Sequence, residues 1–192
     1  MDTTPITDLL LILDIDETLV YATPDPLGRP EDFRVGPYRV YKRPGLEAFL
    51  DFAFRYFRVA VWSSASDAYV EEMVKKLGME GKLEFAWGRS RATLRNALPS
   101  YLESDMLFGN LGHQHYIKRL KKVKKLGFSL DKTLMVDDSP HKLQQNYGNA
   151  IIVSEFTGDE LDDELRLLAR YLMSFQGCEN VRCIEKRYWN VV

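Results

Sequence analysis

Leu9-Leu10-Leu11-Ile12-Leu13-Asp14-Ile15-Asp16-Glu17-Thr18-Leu19-Val20 opens with five consecutive aliphatic residues and runs into two carboxylates one residue apart. Such a run suits a strand buried on both faces, as in a parallel sheet covered by helices. The acids then fall at the strand's carboxyl end, the edge at which open α/β sheets bind ligands. Two readings stay open for this pair alone: an active site, or acids that end a strand and solvate a turn. What decides between them is whether the rest of the chain supplies partners.

Working outward, residues 22–30 are dense in Pro and Gly and continue neither a helix nor a central strand. Phe33-Arg34-Val35 and Tyr38-Arg39-Val40-Tyr41 flank Gly36-Pro37, which predicts a small hairpin within an insertion around 23–41. The hairpin would either overhang the strand end or only cover core. Pro44 is placed to open a helix over 46–57, followed by a second buried strand, Arg58 to Trp62, ending in Ser63-Ser64-Ala65-Ser66. A helix over 67–77 closes at Gly78, and 82–87 can form a third strand. Residues 88–115 are irregular and contain Arg89, Arg91, Arg95, Pro99, Gly109 and Gly112, an insertion with some local structure that could face substrate.

Beyond it, the pattern predicts a helix over 116–126, a strand from Thr133 ending in Asp137-Asp138-Ser139-Pro140, a strand at 150–153, a helix over 161–175 and a short helix over 181–188. Strand and helix alternate without repeats, so residues 1–192 are expected to form one three-layer, Rossmann-like α/β domain around a central parallel sheet.

The 192 residues are 45% hydrophobic and 28% charged, as in ordinary globular proteins, and a net charge of -2 gives no global argument for direct nucleic-acid binding. The N-terminus lacks the basic flank of a secretory signal, and Asp14 and Asp16 interrupt the apolar run before it could span a bilayer. An intracellular, cytoplasmic protein without membrane association is expected, with the nucleus as an alternative in a eukaryote. Cys178 and Cys183 are expected to be free, partly buried thiols. His113-x-His115 lacks a third metal ligand of usual spacing, which leaves the two as polar surface residues.

Three strands thus end in polar groups: Asp14 and Asp16, Ser63, and Asp137 and Asp138. In a parallel sheet these ends share one edge. Acids gathered there repel one another unless a cation neutralises them, and an all-oxygen set favours Mg²⁺ over zinc.

With these pieces in this order, the chain resembles the haloacid dehalogenase (HAD) phosphotransferases. The branch is that of the small phosphatases acting on the RNA polymerase II C-terminal domain and the related NLI-interacting-factor-like proteins. The resemblance rests on Leu13 to Val20, Lys42-Arg43-Pro44-Gly45, Trp62 to Ser66 with Tyr69, Tyr116-Ile117-Lys118, and Val136-Asp137-Asp138-Ser139-Pro140. It implies a HAD core with a hairpin flap and no large cap domain. It makes Asp14 the nucleophile that forms an aspartyl-phosphate, and Asp16 the group that protonates the leaving oxygen and then deprotonates water. Ser63, or Ser64 if the register is off by one, would contact the phosphoryl group. Lys118 would bridge Asp14 and that group, with Thr18 also on the substrate side. Mg²⁺ would be held by Asp14, the Asp16 backbone carbonyl and Asp138, with Asp137 orienting Lys118 or a metal-bound water.

Relatives directed at the polymerase commonly carry Thr at the Ser63 position, and several carry Asn at that of Asp138, so the substrate transfers less readily than the chemistry. A capless site implies phosphoserine or phosphothreonine in a protein or flexible peptide, with Arg89 or Arg91 pairing with a second phosphate or standing as ordinary surface arginines. Phe33, Tyr38 and Trp87 are candidates for an apolar docking groove. The alternatives are a small-metabolite or nucleotide phosphatase and, from a different class, a non-catalytic phosphoprotein-binding module.

Overall fold

The computed structural model describes residues 5–95 and 115–190. Pro99, Gly109, Gly112 and His113, named above, lie outside the described residues. Five strands form the parallel sheet: β1 (Leu10–Leu13), β5 (Arg58–Trp62), β6 (Ala86–Trp87), β9 (Thr133–Asp137) and β10 (Ala150–Ile152), in the order β10-β9-β1-β5-β6. β1 lies at the centre, with Leu13 opposite Val61 of β5 and Val136 of β9. That register brings the residues just past the three strands to one edge.

Alternation along each strand divides the core. Leu11, Leu13, Val59, Val61, Leu134 and Val136 pack with Phe49 of α1 (Leu46–Tyr56), Met73 of α2 (Asp67–Lys76) and Leu168 of α3 (Glu164–Leu172). On the other face Leu10, Ile12, Ala60, Trp62 and Met135 meet Leu120 and Val123. Both faces are therefore dry, as a parallel sheet requires. Ser66 caps α2 by accepting a hydrogen bond from the Tyr69 backbone N–H at 3.3 Å.

The second face corrects one expectation. Residues 116–126 form no α-helix: β8 (His115–Ile117) pairs antiparallel with β7 (Thr93–Arg95), and a 3₁₀ segment, Leu120–Leu126, follows. Leu120 and Val123, both buried, stand three apart, the period of a 3₁₀ helix. Other elements are shorter than their patterns suggested. The third strand is only Ala86–Trp87, α3 begins at Glu164 with Leu161 left exposed, and the last helix is the 3₁₀ turn Val181–Cys183. Gly45, at φ 78°, rather than Pro44, stands at the N-cap of α1. Cys178 and Cys183 are free, and Cys183 is exposed.

The hairpin forms as β3 (Phe33–Val35) and β4 (Tyr38–Lys42) around Gly36, whose φ of 54° suits glycine. A third strand, β2 (Val20–Thr23), pairs with β4 and was not foreseen. It joins the flap directly to the loop that follows β1. Tyr38 then meets Tyr69 of α2 edge to face, ring centroids 6.1 Å apart, so the flap stands over the carboxyl edge of the sheet.

Candidate active site

Asp14 continues the β1 ladder: its N–H donates to the Val136 carbonyl at 3.0 Å, and its own Oδ1 accepts from the Ile15 N–H at 2.9 Å. The chain then turns through Glu17, a non-glycine residue at φ 57°, held by bonds from its N–H to Val20 O and from the Phe156 N–H to its carbonyl. A left-handed residue beside a cluster of acids is the kind of local cost that functional turns carry. Arg43 fixes this turn from below, donating to the Thr18 carbonyl at 3.0 Å while its fork is bidentate on Asp162.

Lys118 is fully buried, and its ammonium lies 2.9 Å from Asp14 Oδ2 and 2.7 Å from Asp137 Oδ2. Its backbone is pinned on both sides, because its N–H donates to the Lys142 carbonyl and its own carbonyl accepts from the Asn146 amide. Asp138, its neighbour on the β9 turn, accepts from the Ser139 hydroxyl at 2.7 Å through Oδ2, while its buried Oδ1 has no hydrogen bond. Ligand oxygens of Asp14, Asp137 and Asp138 lie within 4.8 Å of one another.

Asp16 turns away from that trio. Tyr69 donates to its Oδ1 at 2.5 Å and Ser63 to its Oδ2 at 3.2 Å; the Ser63 hydroxyl also accepts from the Ala65 N–H. Burial and the Asp16 charge push the Tyr69 phenol well above its ordinary range, so it stays a donor.

The two motif acids are thereby driven apart. Burial alone would raise Asp14, but the ammonium charges of Lys118 and Lys142 outweigh it and hold the carboxyl below the usual range. Asp16 is raised by burial, which the bond from Tyr69 only partly offsets. Glu17 is pushed up to about 7 by burial and by the charges of Asp16 and Asp138, and Asp137 to about 7 by burial and the charge of Asp14.

Thr18 and Ser64 carry buried hydroxyls without hydrogen-bond partners. Arg89 stands at the rim of a cleft of about 310 Å³ that Asp16, Tyr38 and Tyr69 also line, its Nε donating to the Ser64 carbonyl at 2.9 Å. Arg91 lies over the Trp87 ring instead, outside that lining. Of the expected groove residues, Tyr38 is exposed at the cleft, whereas Trp87 is core, packed against Trp62 and Phe85.

Two residues at this edge escaped the sequence reading, Lys142 and Asn146. Lys142 lies 3.3 Å from Asp14 and 3.5 Å from Asp138. Its spacing of four from Asp138 was the available signal.

A family model described as NLI interacting factor-like phosphatase matches residues 9–182. The chain belongs to that family. Among its relatives, a CTD small phosphatase-like protein 2 of Dictyostelium discoideum is 26% identical over 90% of this chain and 28% of its own length. A mitochondrial import inner membrane translocase subunit tim50 of Aspergillus fumigatus is 25% identical over 89% of this chain and 30% of its own. The chain thus spans about a third or less of these two relatives. The family fold recurs in the solved structure of Fcp1, an essential RNA polymerase II CTD phosphatase, with a TM-score of 0.63 at 16% identity over 88% of this chain and 62% of that one. A haloacid dehalogenase-like hydrolase from Xanthomonas campestris gives 0.54 at 8% identity, covering 88% and 96%. The parallel-sheet core thus has a HAD-like fold. Among the described residues, no helix is long and apolar enough to cross a membrane.

Proposed function

We propose that the chain is a Mg²⁺-dependent phosphomonoester hydrolase that acts through an aspartyl-phosphate on Asp14 and takes phosphoserine or phosphothreonine in flexible protein segments. The observation that carries this reading is the separation of Asp14 and Asp16: one carboxyl held ionised by two ammonium groups, the other biased by burial towards keeping a proton. Two carboxyls with opposed environments are the signature of a nucleophile beside an acid.

In the first step an Asp14 oxygen bonds to phosphorus, the bond to the leaving oxygen breaks, and that oxygen takes the Asp16 proton. Water then gives a proton to Asp16 as its oxygen attacks phosphorus. The bond to Asp14 breaks, and inorganic phosphate leaves with the carboxylate restored. Lys118 holds Asp14 in place and supplies positive charge beside the transferring group. Ser63 and Tyr69 orient Asp16.

The donor set fits a hard divalent cation: carboxylate oxygens of Asp14, Asp137 and Asp138, with Asp138 Oδ1 buried and lacking a hydrogen bond. These residues would hold Mg²⁺, with the Asp16 backbone carbonyl as a further ligand. When bound, the ion supplies Lewis-acid neutralisation of the phosphoryl oxygens.

The peptide assignment rests on the family match and on the cleft of about 310 Å³ beside Asp16, which Tyr38 and Arg89 line among the described residues. We place the activity in the cytoplasm, or in the nucleus of a eukaryotic cell. A phosphosubstrate panel of peptides and metabolites, with Asp14→Asn as the blank, tests the proposal. Phosphopeptides should lead the panel, with KM raised several-fold by Arg89→Ala. A metabolite turned over orders of magnitude faster would replace the protein-phosphatase reading with a small-molecule one.

A further inference from the structure

Lys142 belongs to none of the motifs that define the site, yet its ammonium lies 3.3 Å from Asp14 Oδ2, 3.7 Å from Asp137 Oδ1 and 3.5 Å from Asp138 Oδ1. It faces the same three carboxylates that would hold the divalent ion. Asp16 and Glu17, on the turn opposite, also feel its charge. The two lysines of the cluster are differently built. Lys118 has no exposed side chain and lies 2.9 and 2.7 Å from Asp14 and Asp137, whereas the Lys142 side chain is 18% exposed and its three contacts are all longer.

We infer that Lys142 is a tethered counter-cation that stands in for the divalent ion and must leave for the ion to bind, so that it sets the enzyme's metal affinity. The inference rests on the metal site proposed above. Charge balance supports it: three carboxylates with Lys118 and one divalent ion are neutral, and keeping Lys142 as well adds a surplus positive charge in a poorly solvated place. Anchorage supports it too. The Lys142 backbone is held by its N–H to Ser139 O and by its carbonyl accepting from Lys118, so the side chain can swing to solvent without disturbing the turn.

The test titrates Mg²⁺ alone into the metal-stripped full chain and its Lys142→Met and Lys142→Arg variants by calorimetry, with circular dichroism confirming the fold. Lys142→Met should bind Mg²⁺ about tenfold more tightly or better, and Lys142→Arg should stay near the parent. Without metal, the thermal midpoint of Lys142→Met should fall below that of the parent and recover on adding Mg²⁺. A readout free of any variant is amine acetylation followed by mass spectrometry. Lys142 should label faster in Mg²⁺ than in chelator, with Lys118 protected in both. Equal or weaker binding by Lys142→Met, or labelling indifferent to Mg²⁺, overturns the inference while leaving the metal site standing. Absence of Mg²⁺ binding in all three chains overturns both.

Discussion

Two buried cations, Arg43 and Lys118, illustrate how the same kind of charge serves two ends. Arg43 is matched atom for atom: both Asp162 oxygens at 2.8 Å, the Thr18 carbonyl at 3.0 Å, and the Phe156 ring centroid 5.3 Å from its guanidinium carbon. Each of its three nitrogens has a partner, and the group ties the post-β1 turn to the loop before α3. Around Lys118 three carboxylates share two ammonium groups, one of them loosely held, and Asp138 Oδ1 lacks a hydrogen bond. A saturated site resists change; an unsaturated one can take a cation and a phosphate.

The sharpest way to break this contrast is at Asp14. Asp14→Asn should lower turnover of para-nitrophenyl phosphate by about a thousandfold or more while leaving the circular dichroism spectrum unchanged. Arg43→Met should do the reverse, costing about 3–5 kcal/mol in urea unfolding because Asp162 is left without its partner, with kcat of the folded protein within a few-fold of the parent. If Arg43→Met abolished kcat without loss of stability, the assignment of the two sites would be inverted. A smaller effect is expected at Tyr69, where Tyr69→Phe removes one of the two donors to Asp16 and should reduce kcat about tenfold with little change in KM.

The smallest tests a third kind of charge pair, the surface one. Glu31 in the flap is held down at about 2, first by the hydrogen bond from Arg34 and further by Arg39. A depressed folded value stabilises above the unfolded value of 4.5, and that contribution disappears as pH falls from there towards 2. The small difference in urea midpoint between parent and Glu31→Gln should therefore be present at neutral pH and shrink as the solution is acidified through this window. A difference that grew on acidification would mean that the pair does not act as drawn.

What could be read from the residues follows from how locally each feature is encoded. β1, β5 and β9 announce themselves because a strand buried on both faces must be apolar throughout, and the polar residues just past them mark the edge of the candidate site. The capping of α2 by Ser66 is encoded just as locally, in one side chain and its next three residues. β2 was not legible, since Val20–Thr23 exists through cross-strand pairing with β4 rather than through its own pattern. The lysine-rich segment misled for a related reason: its period of three fits 3₁₀ geometry, and Tyr116 is drawn into pairing with Leu94. Lys142 and Asn146 were missed because their roles depend on the β9 turn folding back against β8, and the spacing of four between Asp138 and Lys142 is too weak a trace of that contact to stand alone.

The central claim is that Asp14 carries the phosphoryl group. Rapid acid quenching during turnover of a phosphopeptide, borohydride reduction and peptide mass spectrometry should find Asp14 converted to homoserine, with Asp16, Asp137 and Asp138 unmodified. Turnover at full rate with no modified Asp14, or with the modification at another of these acids, would contradict the account.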